Sequence, residues 1–211
     1  MTIHQIHVNH SRAARKDAPE LTIKIVESEE DRLKAMLIRA IVYMHGQQCP
    51  FREEFDLNDH TATQIIGLIN DAEPVLTARI RYFNGFAKLE RLAIREEYRG
   101  RGYGHQLLAF LLNICRQKGF SKFYLHAQAR LQPFYEGYGF RAVGGEFSFS
   151  EHGYVEMTLD EREHFPQPAL NIGSRPMALN RPENSLNRVG PLERGAFEGH
   201  PRRVAVEGVV A

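Results

Sequence analysis

The run Leu89-Glu90-Arg91-Leu92-Ala93-Ile94-Arg95-Glu96-Glu97-Tyr98-Arg99-Gly100-Arg101-Gly102-Tyr103-Gly104 decides how this chain reads. An apolar strand pattern from Leu89 to Ile94 enters a short Arg/Gly turn, which opens onto an apolar helical run from His105 to Lys118. Such a turn can aim several backbone N–H groups, and the positive end of a helix, at one point. Its glycines let the backbone reach positive φ and let a ligand approach without meeting a Cβ. Arg99 and Arg101 add charge where a pyrophosphate would lie. The bland alternative is a tight connection with solvated charges, because short glycine motifs match often by chance.

Spacing tests two rival phosphate cradles. The dinucleotide fingerprint needs G-x-G-x-x-G, but His105 lies three residues beyond Gly102 and Leu107 three beyond Gly104. A Walker A loop needs a Gly-Lys-Ser/Thr ending, which this turn lacks. What remains is Arg-x-x-Gly-x-Gly, read as Arg99, Gly102 and Gly104. Downstream, Phe120 to Gln128 reads as a strand. It is followed by Ala129-Arg130-Leu131-Gln132-Pro133-Phe134-Tyr135-Glu136-Gly137-Tyr138-Gly139-Phe140.

These two motifs, in this order and setting, resemble the GNAT N-acetyltransferase superfamily. Its acyl-CoA motif has the form Gln/Arg-x-x-Gly-x-Gly/Ala, and its second motif is a helix ending Phe-Tyr-x-x-x-Gly-Phe. The chain looks most like the ElaA-like branch, through Gln47 to Asp56, Asn58-Asp59-His60, Leu125-His126-Ala127-Gln128 and Phe149-Ser150-Glu151-His152-Gly153. Where that branch commonly has Gly-Ile-Pro-His, this chain has Gly153-Tyr154-Val155-Glu156-Met157, and Gln128 and Leu131 stand where the superfamily often has Asn and Ala. The resemblance covers residues 20 to 160.

The resemblance implies acetyl transfer from acetyl-CoA to a primary amine of a small molecule or protein, with no metal. The strand before the cradle is expected to splay from its neighbour, so that Leu92, Ala93 and Ile94 meet the pantetheine arm. Arg99, Gly100, Arg101, Gly102, Tyr103 and Gly104 are expected to hold the pyrophosphate, and Gln128 also counts among the cofactor contacts. Tyr135 matches the family tyrosine that protonates the departing sulfur; a phenol of pKa about 10 is a plausible donor at neutral pH. An alkyl ammonium of pKa about 10.4 must lose its proton before attack. Glu90, on the strand leading to the cradle, is the first candidate base. His126, on the neighbouring strand with an ordinary pKa of about 6.5, is the second. Each also has a structural reading, as an ion-paired sheet carboxylate and a packed histidine. The alternative function is a non-catalytic acyl-CoA-binding regulatory module.

The rest of the chain sets the frame. Residues 1–19 read as a disordered extension, 20–162 as the catalytic domain, and 163–211 as a disordered tail or docking arm with recurring Pro, Gly and Asn. Leu21 to Ile25 alternates as a strand, and Ser28-Glu29-Glu30-Asp31 starts a helix with Leu33, Met36, Leu37, Ala40 and Ile41 on one face. Gln47 to Asp59 reads as an acidic loop. Thr63–Ile69, Val75–Phe83 and Phe86–Ile94 read as strands, the last two joined at Asn84-Gly85, and Arg141–Ser150 with Tyr154–Leu159 as a closing pair. The fold class is α/β (α+β): a mixed, mostly antiparallel sheet flanked by helices.

Net charge is +1 across 211 residues with a pI near 7.9, which argues against a nucleic-acid partner. No run reaches the length of a membrane span, so no membrane partner is expected. Two cysteines, Cys49 and Cys115, suggest reduced thiols and a cytoplasmic protein. A homodimer stays open. Glu53, Glu54, Asp56, Asp59 and Glu151 would suit a cationic acceptor, or make an ordinary solvated loop.

Overall fold

The computed structural model describes residues 20–161, apart from Asn84 and Ser150. The expected disorder of residues 1–19 and of the tail from 163 lies outside the described residues, as does Asn84 of the expected hairpin turn. Among the described residues, no helix is long and apolar enough to cross a membrane.

Seven strands form one sheet: β1 (Leu21–Ile25), β2 (Thr63–Ile69), β3 (Glu73–Phe83), β4 (Phe86–Ile94), β5 (Lys122–Gln128), β6 (Arg141–Phe149) and β7 (His152–Asp160). Their order is β1-β2-β3-β4-β5-β7-β6, antiparallel throughout except for β4 beside β5. A parallel pair needs a crossover. The helix after the cradle, α3 (Tyr103–Gln117), supplies it.

Alternate strand residues divide between two cores, as the two-residue period of a strand requires. On one face Ile80, Leu89, Phe123, Leu125 and Met157 pack with Leu107, Leu108 and Leu111 of α3. Each such aliphatic side chain contributes roughly 1.5–3 kcal/mol by leaving water. On the other face Ile66, Leu68 and Ala93 meet α1 (Glu29–Arg39). Ser28 accepts from the Asp31 N–H at 3.1 Å and caps α1, whose first turn is acidic.

Three readings from sequence change here. The face of α1 that meets the sheet carries Ala35, Ile38 and Arg39, whereas Leu33 and Leu37 are 63% and 54% exposed. Ion pairs explain the rotation: Asp31 binds Lys24 on β1, and Arg39 points inward to carboxylates. Past Arg39 the helix widens into a π-helical segment, Ala40–His45. The 47–59 stretch is not a plain loop: it holds a short helix, α2 (Phe51–Glu54), and a 3₁₀ turn, Leu57–His60. The second motif folds as a 3₁₀ turn, Ala129–Leu131, and a short helix, α4 (Gln132–Glu136), with Pro133 in its first turn.

Candidate active site

The register of β4 creates the site. Against β3, Thr77 pairs with Ala93 and Arg79 with Glu90, so Arg91 and Leu92 together oppose Ala78 alone. This is a β-bulge on β4, and Arg91 sits in it at φ 54°. The extra residue reverses the alternation: Leu89 faces the α3 core, yet so do Leu92 and Ile94. Against β5, β4 pairs only at Ala87↔Phe123 and Lys88↔Tyr124. Beyond those pairs the two strands part, and a cavity of about 650 Å³ opens between them.

Every cofactor-side residue expected from sequence borders this cleft except Arg101. Arg101 turns back instead, donating to the Glu97 carbonyl at 2.9 Å and lying over the Tyr98 ring. Arg99 borders the cleft and donates through Nε to the Ile94 carbonyl at 3.1 Å. Gly100 and Gly102 adopt φ of 73° and 80°, which an L side chain rarely tolerates, and a Cβ on either would meet open space. Their value is therefore conformational and in leaving the approach clear. Gly102 is the N-cap of α3 without a side-chain cap, and the first α3 bonds run from His105 and Gln106 to its carbonyl. The N–H groups just ahead are the orphan donors that attract an anion at a helix start.

Tyr135 projects from α4 onto the cleft and is 6% exposed. Burial pushes its phenol up to about 12, so it carries its proton at neutral pH. Gln128, at the end of β5, donates to Gln47 at 3.0 Å and accepts from Arg130 at 2.9 Å, which fastens the segment after α1 to the mouth of the cleft.

Glu90 borders the cleft but is bound within an ion-pair cluster. Arg79 Nε donates to one of its oxygens and the Lys88 ammonium lies 2.9 Å from the other, with Arg81 at 3.5 Å. Burial alone would raise its pKa, but Arg79, Lys88 and Arg81 outweigh burial and hold it well below the carboxylate range. A carboxylate so held is a poor proton acceptor. His126 has the opposite fault. Burial, with Lys88 nearby, lowers its pKa to about 3, so the ring is neutral but weakly basic. Tyr124 Oη lies 2.9 Å from its Nε2, and among the described residues Nδ1 has no hydrogen-bond partner.

Three carboxylates of the acidic segment, Glu54, Asp56 and Asp59, are taken up by arginines, while Glu53 borders the cleft. Arg39, 1% exposed, binds Glu54 and Asp59; Arg79 binds Asp56 at 2.6 Å and Asp59 at 3.0 Å; Arg91 donates to the Glu53 carbonyl at 2.7 Å. Asp56 is held below its usual pKa because Arg79 outweighs its burial. Glu54 is shifted upward because burial outweighs Arg91 and Arg39. The Glu54, Asp56 and Asp59 carboxylates fix the segment to the sheet. Neither cysteine is poised as a nucleophile: burial raises the Cys49 thiol to about 11, and Cys115 is fully buried in α3.

Sequence reasoning missed Tyr43 and Arg91. Tyr43 donates to the Leu92 carbonyl at 2.8 Å and so ties the end of the first helix to the splayed strand. No local pattern marks either residue, because both act through the bulge, which exists only once β3 and β4 are in register.

The family profile described as "Acetyltransferase (GNAT) domain" matches residues 42–161. The chain belongs to the GNAT acetyltransferase family. Among relatives of this GNAT protein, a Bacillus subtilis protein described as an acetyltransferase is 36% identical over 143 residues, covering 67% of this chain and 97% of the relative. A second B. subtilis relative, the N-acetyltransferase YjcF, is 30% identical, covering 64% and 95%. Escherichia coli ElaA aligns with a TM-score of 0.61 and 27% identity over 68% of this chain and all of that one. A Pseudomonas aeruginosa acyl-CoA N-acyltransferase shares the fold at a TM-score of 0.61 and 24% identity, covering 67% and 99%.

Proposed function

We propose that this GNAT protein moves the acetyl group of acetyl-CoA onto a primary amine of a small molecule or protein. The observation that carries the reading is the parting of β4 from β5 beside a glycine turn, with Tyr135 on the wall of the resulting cleft. Leu92, Ala93 and Ile94 would offer their backbone to the pantetheine arm, and Arg99 with the N–H groups at the α3 start would hold the pyrophosphate. A backbone N–H of the splayed strand can serve the oxyanion.

In the reaction the amine lone pair forms a bond to the thioester carbon and the C–S bond breaks. Tyr135 supplies a proton to the departing sulfur, and the nitrogen gives up one proton to solvent, from which Tyr135 is reprotonated. With Glu90 held as an anion by Arg79 and Lys88 and His126 at about 3, neither deprotonates an alkyl ammonium. The amine therefore enters neutral, and kcat/KM rises with pH until the acceptor's own pKa is passed. Release of CoA thiol from acetyl-CoA, followed against a panel of amines and confirmed by mass spectrometry of the acetylated product, tests the proposal. Acetyl-CoA binding without thiol release for any amine would leave the non-catalytic module in its place.

A further inference from the structure

At the cleft wall, β5 and β7 join His126 to a polar cluster that the proposed reaction does not use. His126 and Glu156 are directly paired across the two strands, and Tyr124 stands two residues before His126 on the same face. Tyr124 Oη donates to the Glu156 carboxylate and lies 2.9 Å from His126 Nε2. Glu156 itself is 3.9 Å from Nε2, too far for a direct hydrogen bond. The His126 and Glu156 side chains are nearly enclosed, with Phe147 edge-on against the His126 ring and Lys88 over the Tyr124 ring.

With Glu156 as a carboxylate, the contacts among these three side chains order their donors in one way. A phenol has one proton. A carboxylate accepts only, so the Tyr124 proton lies toward Glu156, and Tyr124 Oη must accept from Nε2–H. The neutral imidazole has one proton as well, so Nδ1 is left with its lone pair. That nitrogen is buried, lacks a partner among the described residues, and belongs to a ring that lines the cleft. An unpartnered buried acceptor is costly unless a donor from a ligand or an ordered water completes it.

We propose that Glu156 and Tyr124 are positioning residues that lock His126 in the Nε2–H tautomer, so that Nδ1 accepts a hydrogen bond from the attacking nitrogen of the acceptor. The nitrogen's own lone pair is thereby turned toward the acetyl carbon. The charged groups around the ring are Lys88, Glu90 and Arg91 from β4 and Glu156 from β7; burial, with Lys88 and Arg91, outweighs the opposing pull of Glu90 and keeps the ring neutral, so it orients the amine and does not titrate with it. This role rests on the acetyltransferase reading above, but its central claim concerns a proton position that is measurable without turnover.

Long-range ¹⁵N–¹H spectra of the full chain labelled at histidine test it, with His126 assigned by the signal missing in His126→Gln. The expected spectrum has a pyrrole-like Nε2 and a pyridine-like Nδ1 for His126. In Glu156→Gln the carboxamide can donate to Tyr124, which then donates to Nε2 and moves the ring proton to Nδ1. The tautomer should invert, and kcat with the fastest amine among phenethylamine, putrescine and a peptide N-terminus should fall about tenfold, near the effect of one hydrogen bond. The acetyl-CoA KM should stay unchanged, and Glu156→Asp should restore the wild-type tautomer. An Nδ1–H ring in the wild-type protein overturns the proposal whether or not the variants fold. Inversion in Glu156→Gln without loss of kcat overturns the orienting role. Absence of thiol release from every amine counts against the acetyltransferase reading, and leaves the tautomer spectrum to judge the chain by itself.

Discussion

Arg79 Nε donates to Glu90 Oε2 at 2.9 Å across the paired strands β3 and β4, directly beside the bulge that opens the cleft. The pair joins two groups of side chains. Arg79 reaches on to Asp56 and Asp59 of the segment after the π-helical turn, while Glu90 reaches to Lys88 and Arg81. Such buried clusters contribute little net stability against an apolar alternative, but removing one member leaves an uncompensated charge.

Glu90→Gln should therefore destabilise the protein by about 3–5 kcal/mol at pH 7. The folded pKa of Glu90 is depressed, so its contribution is complete above the unfolded carboxylate value of about 4.3 and is lost as pH falls through the folded value. Urea titrations at pH 7 and at successively lower pH should show the gap between wild type and variant closing with acid. A gap that stays constant down to the pH at which the wild type unfolds would show that Glu90 is not held in this way.

Tyr135→Phe should lower kcat by about 10²-fold or more, the usual scale for losing a positioned acid, with acetyl-CoA binding nearly intact. Steady-state kinetics with calorimetric CoA titration separate the two. Equal loss of affinity and turnover would reduce Tyr135 to packing on the cofactor arm.

Gly102→Ala places a Cβ in open space, so any effect comes from φ 80°. Holding a non-glycine residue there costs about 1–2 kcal/mol. We expect a tenfold rise in acetyl-CoA KM at that scale, with the acceptor KM little changed. Equal movement of both KM values would point to general unfolding of the turn.

Tyr43→Phe removes the donor to the Leu92 carbonyl and retains the ring. The hydrogen bond is worth about 0.5–1.5 kcal/mol. Because Leu92 lies on the splayed strand, acetyl-CoA KM should rise together with a drop of a few degrees in Tm, roughly the shift expected for that energy in a domain of this size. A loss of Tm with no change in KM would confine Tyr43 to fold support.

Asp59→Asn tests the acidic segment. Asp59 accepts from both Arg39 and Arg79, so its neutralisation should destabilise the protein by about 3–5 kcal/mol. Selectivity between cationic and neutral amines should not shift, since the carboxylate faces the sheet. A selective loss of cationic amines in thiol-release assays would reinstate an acidic acceptor site.

The local part of this protein was legible in its sequence. Positive φ at Gly100 and Gly102, a strand before them and an apolar helix after them follow from residue type and short-range periodicity, and they mark the donor half of the proposed site. Tyr135 was legible as part of a spaced motif. What tertiary structure alone decided are the pairings of charge and the phase of the strands. The α1 face was misread because Arg39 and Asp31 point inward with partners from distant segments, which outweighs the exposure of Leu33 and Leu37. Glu90 and His126 have the residue types of bases, yet Arg79, Lys88 and burial set their pKa values, and those neighbours come from other strands. The bulge at Arg91 belongs to this second class as well. One extra residue relative to β3 turns Leu92 and Ile94 toward the cleft, and a register between two strands is a property of the pair, which neither strand's sequence holds alone.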